Sequence, residues 1–102
     1  MGQVIRYIGE HLSEDLSVGV LVDLAGLSES HFTRKFRQAM SSSPKEYLIR
    51  RRMNEAKHLL KTTDFPVKEI AARVGYRSES HFTNTFTAQN GLSPKHFREF
   101  PI

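Results

Sequence analysis

Six consecutive residues, Ser28, Glu29, Ser30, His31, Phe32 and Thr33, return unchanged fifty positions later as Ser78, Glu79, Ser80, His81, Phe82 and Thr83. The correspondence runs on through Phe36 and Phe86, through Ser43-Pro44-Lys45 and Ser93-Pro94-Lys95, and ends on Tyr47 and Phe97. Upstream the offset falls to 49, pairing Val18 with Val67, Leu21 with Ile70 and Val22 with Ala71, so one extra residue lies near Gly75-Tyr76-Arg77. A turn absorbs such an insertion, whereas a helix interior does not. Two copies are too few for a solenoid, which takes about three or more repeats to bury a continuous core. A duplicated two-helix unit is the better reading.

Each copy reads as helix, short turn, helix. In the first, Val18, Leu21, Val22 and Ala25 keep helical spacing, Gly26 and Leu27 interrupt it, and Ser28 is placed to cap a helix running to about Met40. In the second, Pro66 suits the first turn of a helix carrying Val67, Ile70, Ala71 and Val74, Gly75 ends it, and Ser78 caps the next. Phe32 with Phe36, and Phe82 with Phe86, supply an apolar seam at i, i+4 spacing.

Between the copies, Pro44 opens a linker helix whose Tyr47, Leu48, Met53, Ala56, Leu59 and Leu60 form a core-facing set. It spans about 26 Å, which with the width of the units is comparable to one duplex turn of about 34 Å. An opening helix near Val4 to Leu12 and a closing one at Lys95 to Phe100 complete the chain. The expectation is an all-α fold of about seven helices with no strand. It comprises a first helix-turn-helix subdomain at residues 1–43, a linker helix at 44–62 and a second subdomain at 63–102.

Composition narrows the function. The absence of cysteine excludes disulfide frameworks, thiolate metal sites and cysteine nucleophiles. No run approaches the roughly 18 apolar residues of a spanning helix, and the start, Met1-Gly2-Gln3-Val4, lacks a secretory pattern. A cytoplasmic protein without membrane or cofactor is expected. Charge is unevenly distributed: residues 1–33 carry one basic residue, Arg6, against five acidic ones, whereas residues 34–102 carry fourteen basic against six acidic. A surface that meets a polyanion should therefore lie after residue 33.

The run from Ile70 through Gly75-Tyr76-Arg77-Ser78 to Phe86, followed by Gly91-Leu92-Ser93-Pro94-Lys95-His96-Phe97-Arg98, resembles the signature of the AraC/XylS family. The first half resembles it through Leu21, Ser28, Phe32, Arg34, Phe36, Ser43-Pro44 and Tyr47, then Arg52-Met53 and Ala56 to Leu60, so the resemblance covers about residues 4 to 99. It implies a bacterial transcription regulator bound to double-stranded promoter DNA. Residues Ser28 to Met40 and Ser78 to Gln89 would be recognition helices in adjacent major grooves. It also implies contact with RNA polymerase and, in many members, an effector-binding or dimerisation domain outside such a chain. Two departures stand out: Ser41 where the family often has glycine, and Asn84 where it often has a basic residue. A serine at Ser41 fits a left-handed helix end less comfortably, so a looser or different cap is expected there.

With Phe32 and Phe36 turned to the core, Ser30, Thr33, Arg34 and Arg37 share a face able to meet base edges. Arg34 is the strongest reader, because a guanidinium bonds guanine O6 and N7 together; Arg37 is also suited to phosphate. In the second copy the set is Ser80, Thr83, Asn84 and Thr87, with no Lys or Arg from Ser78 to Gln89. Asn84 stands where Arg34 stands and suits adenine. Lys35, His31, Lys45, Arg77, His81 and Lys95 are the phosphate candidates, Lys45 and Lys95 because they sit at helix starts. The bland alternative for these charges is a solvated helix face, and for Asn84 a solvent-facing amide. The two repeat histidines lie in separate units with no further ligands, which disfavours a metal site.

Arg50-Arg51-Arg52 cannot all touch one duplex, because consecutive helical residues point about 100° apart; by resemblance Arg52 is a framework residue. No nucleophile, metal cluster, carboxylate pair or glycine-rich phosphate loop can be assembled, so an enzyme is not expected. A small helical protein–protein adaptor without DNA specificity is the alternative.

Overall fold

The computed structural model describes residues 1–101 and contains seven helices: α1 (Gly2–Glu10), α2 (Val18–Ala25), α3 (Glu29–Met40), α4 (Pro44–Thr62), α5 (Val67–Arg73), α6 (Glu79–Asn90) and α7 (Pro94–Glu99). No strand occurs among the described residues. The chain forms two compact units, Met1–Arg51 and Arg52–Ile102, whose boundary falls inside α4.

Serine starts most of these helices. The hydroxyls of Ser17, Ser28, Ser43, Ser78 and Ser93 accept the backbone N–H groups of Val20, His31, Glu46, His81 and His96 at 3.2–3.3 Å. Each bond satisfies one of the donors that a helix start leaves unpaired, worth about 1 kcal/mol. The caps fix where α3 and α6 begin, and hence which residues look outward.

In the first unit Val4, Ile8, Leu16, Leu21, Phe32, Phe36, Tyr47 and Leu48 form one buried cluster. In the second, Met53, Ala56, Leu60, Ile70, Ala71, Val74, Tyr76, Phe82 and Phe86 are buried, while Leu59 is only half-buried on the flank of α4. The aromatic seam repeats almost without change. Phe32 and Phe36 have ring centroids 5.7 Å apart at 43°, and Phe82 and Phe86 5.8 Å apart at 47°. Truncating any of these fully buried rings to alanine costs roughly 3–5 kcal/mol.

Helix ends differ from the spacing-based expectation at α1, α5 and α7, the last running from Pro94 to Glu99 rather than from Lys95 to Phe100, whose backbone is extended. α1 stops at Glu10 rather than Leu12, because the His11 ring nitrogen bonds the Tyr7 carbonyl at 2.8 Å while its backbone N–H turns to Ile8 O. Pro66 caps α5 instead of forming its first turn, and Val74 lies just past its end. There Gly75, at φ +97°, donates to Ala72 O while Tyr76 donates to Ala71 O, a Schellman turn that absorbs the extra residue of the second copy.

Ser41 takes the left-handed conformation, φ 59° and ψ 19°, and donates to Arg37 O at 2.9 Å. Gly91 does the same at φ 78°, donating to Thr87 O at 2.8 Å. α3 is thus closed like α6, and not differently, but with a Cβ in the crowded region.

Candidate nucleic-acid interface

Because Phe32 and Phe36 are wholly buried, the opposite face of α3 is outward. Ser30, Arg34 and Arg37 are exposed and Thr33 is half-buried. The four residues line one open depression of about 620 Å³ together with Glu29 and Gln38. The spacing of the sequence located the four; Gln38, one turn beyond Arg34, was missed although its i+4 position signals it. Arg34 forms no hydrogen bond or ion pair among the described residues, so its five donors are all available to an external acceptor. Glu29 sits in the first turn, where its charge favours the helix start.

On α6, Ser80, Asn84 and Thr87 are exposed and Thr83 is half-buried, opposite the buried Phe82 and Phe86. The Thr87 hydroxyl donates to Thr83 O at 2.8 Å. Tyr76, which sequence reasoning left without a role, packs edge-on against His81 and Phe82 at 5.2 and 5.5 Å. Its hydroxyl is hydrogen-bonded to Thr85, and burial pushes its pKa upward. It thereby braces α6 from the inner side.

The phosphate candidates occupy several places. Lys45 and Lys95 are exposed at the second positions of α4 and α7, each after a proline. Lys35 is exposed away from the Arg34 depression, beside Met1, Gln38 and Ala39. Arg77 and His81 are exposed before and within the first turn of α6, and His31 is half-buried in that of α3.

The arginine run on α4 lies against aromatic rings, with Arg50 still exposed. Arg50 lies 5.6 Å from the Tyr47 centroid and donates to Ser42 Oγ at 3.3 Å. Arg51 lies 5.8 Å from the same ring and donates to its hydroxyl at 2.9 Å. Arg52 lies over Tyr76 at 5.7 Å, the framework role expected for it. Consecutive positions diverge by about 100°, and two of the three converge on Tyr47 only because it lies a turn earlier on the same helix.

Among the described residues no group of metal-ligating side chains occurs, and no helix is long and apolar enough to cross a membrane.

The family profile described as a helix-turn-helix domain matches residues 21–99. The probable transcriptional regulator LumQ of Photobacterium leiognathi is 33% identical over 95 residues, covering 93% of this chain and 38% of that protein. The transcriptional activator RhaS of Enterobacter sp. (strain 638) is 31% identical over 99 residues, covering 97% of this chain and 36% of that protein. The chain therefore spans little more than a third of these relatives. Among solved structures, the DNA-binding domain of AdpA in complex with a target DNA superposes with a TM-score of 0.92 at 37% identity, covering 96% of this chain and 88% of that one. The C-terminal domain of AraT, a response regulator from Geobacillus stearothermophilus, superposes at 0.93 with 31% identity, covering 98% and 84%. This chain belongs to the helix-turn-helix domain family, as a non-enzymatic, DNA-binding domain of AraC/XylS-type transcriptional regulators.

Proposed function

We propose that α3 and α6 are the two recognition helices, entering successive major grooves of bacterial promoter DNA in the cytoplasm. Ser30, Thr33, Arg34 and Arg37 meet base edges in one block, and Ser80, Thr83, Asn84 and Thr87 meet them in the other. Lys35, His31, Lys45, Arg77, His81 and Lys95 hold phosphates. The carrying observation is the outward face of α3, where unpaired Arg34 shares a depression with Ser30, Thr33 and Arg37 while the reverse face is locked by Phe32 and Phe36. A bidentate arginine–guanine pair is worth roughly 1–3 kcal/mol of discrimination.

Residues 1–43 and 63–102 serve as the two reading subdomains and 44–62 as their linker. Contact with RNA polymerase, and control by an effector-binding or dimerisation domain, complete the proposed setting; relatives more than twice as long as this chain leave room for such a domain.

Selection from a randomised duplex library at two salt concentrations tests the function. Two dissimilar blocks about 10 base pairs apart are expected. Salt-sensitive binding without any motif would refute sequence reading by the chain, and no binding at low salt would favour a protein–protein adaptor.

A further inference from the structure

We propose that Thr87 reads the 5-methyl group of a thymine, giving α6 a face directed at A·T pairs. The proposal rests on α6 being a recognition helix and adds what that helix recognises. A threonine hydroxyl has one proton, and in Thr87 it is held by Thr83 O at 2.8 Å. Only certain χ1 wells of a β-branched side chain reach the preceding-turn carbonyl, so the bond also fixes the rotamer. What the exposed side chain offers to a groove is therefore mainly its methyl group, already oriented. Thymine is the base whose major-groove edge carries a methyl, and apolar contact with it is an established mode of readout.

The neighbours agree. Asn84, on the adjoining turn of the same face, is exposed and carries the amide that pairs with adenine N6 and N7. No lysine or arginine occurs between Ser78 and Asn90, so α6 lacks the donor fork that selects guanine. In the other copy the positions of Asn84 and Thr87 hold Arg34 and Arg37. Between the copies, two guanidinium groups are exchanged for an amide and a methyl while the buried seam is kept.

The test uses the whole 102-residue chain and a duplex selected from the randomised library. Asn84→Ala identifies the block read by α6, as the one whose base preference changes. Each thymine there is then replaced singly by 2′-deoxyuridine, which pairs identically but lacks the methyl. One replacement should weaken binding about fourfold, the effect of returning one methyl-sized group to water. Thr87→Ser, which keeps the hydroxyl, should bind the thymine and uracil duplexes alike, and Thr87→Val should still distinguish them. If no thymine in the block responds, or if Thr87→Ser keeps the discrimination, methyl reading is overturned while α6 remains a recognition helix. If Asn84→Ala alters no block, the role of α6 in reading DNA fails, and the methyl proposal with it.

Discussion

Arg98 and Lys61 each bond the closing carbonyls of the other's helix. From α7, Arg98 donates through Nε to Leu60 O at 3.1 Å and through a terminal nitrogen to Thr63 O at 3.2 Å. From α4, Lys61 donates to Phe100 O at 2.6 Å and Arg98 O at 3.4 Å, with its ammonium 4.9 Å from the Phe97 ring centroid. Cations at helix C-termini satisfy carbonyls that have no partner within the helix and complement the helix dipole.

Arg98→Ala should therefore destabilise the second unit by about 3 kcal/mol, the low end for two lost hydrogen bonds to a charged group at roughly 1.5–3 kcal/mol each, because the side chain is only half-buried. Arg98→Lys, with no planar fork to serve two carbonyls, should recover only part. Urea unfolding followed by circular dichroism measures both; an unchanged midpoint for Arg98→Ala would show the clamp to be energetically idle.

Ser41→Gly should stabilise the chain by about 0.5–1 kcal/mol. The left-handed conformation costs a residue with a Cβ roughly 1–2 kcal/mol, and the extra unfolded-state freedom of glycine returns part of that gain. Gly91→Ser, the mirror experiment at φ 78°, should destabilise by a similar amount. Thermal midpoints moving in opposite directions are the expected signature.

Glu46 should make stability depend on acid pH. Its carboxyl is held below the usual glutamate value of 4.5 by hydrogen bonds from the Ser43 hydroxyl and backbone N–H, with a smaller contribution from Arg37 and Arg50. A lowered folded-state pKa means the unfolded chain binds more protons, so this contribution is present above the unfolded value and disappears as pH falls through the folded one. Melting curves between about pH 3 and pH 6 should show a shallower pH dependence in Glu46→Gln than in the wild type.

Arg34→Ala should relax base preference in one block of the selected site, losing roughly 1–3 kcal/mol there. Lys95→Ala should instead weaken all duplexes alike and lower the slope of log K against log salt by about one, the signature of one lost phosphate contact. Equal loss of specificity in both variants would contradict the division between base and phosphate contacts.

Features fixed by local spacing were legible in the sequence. Phe32 and Phe36 lie one helical turn apart, so their burial and the exposure of Arg34 follow together; the caps at Ser28 and Ser78 follow from their place after a turn, whereas those at Ser17, Ser43 and Ser93 were missed. Helix ends were less legible, because His11 closes α1 with its side chain and α5 stops at Arg73, one residue before its last apolar position, Val74. The clamp between Lys61 and Arg98 was invisible, since its partners stand 37 residues apart and no local pattern joins them. The arginine run showed that its members diverge but not that Tyr47 and Tyr76 would receive them. The orientation of Thr87 depends on a rotamer, which residue identity alone does not specify.

The aromatic pairs at Phe32–Phe36 and Phe82–Phe86 keep nearly the same geometry, although the residues outside them differ, arginine against asparagine and arginine against threonine. What holds each helix in place is thus separate from what it presents. A substitution on one outward face therefore leaves its own anchoring seam and the whole of the other unit's untouched, so the two faces can be altered independently and one side chain at a time.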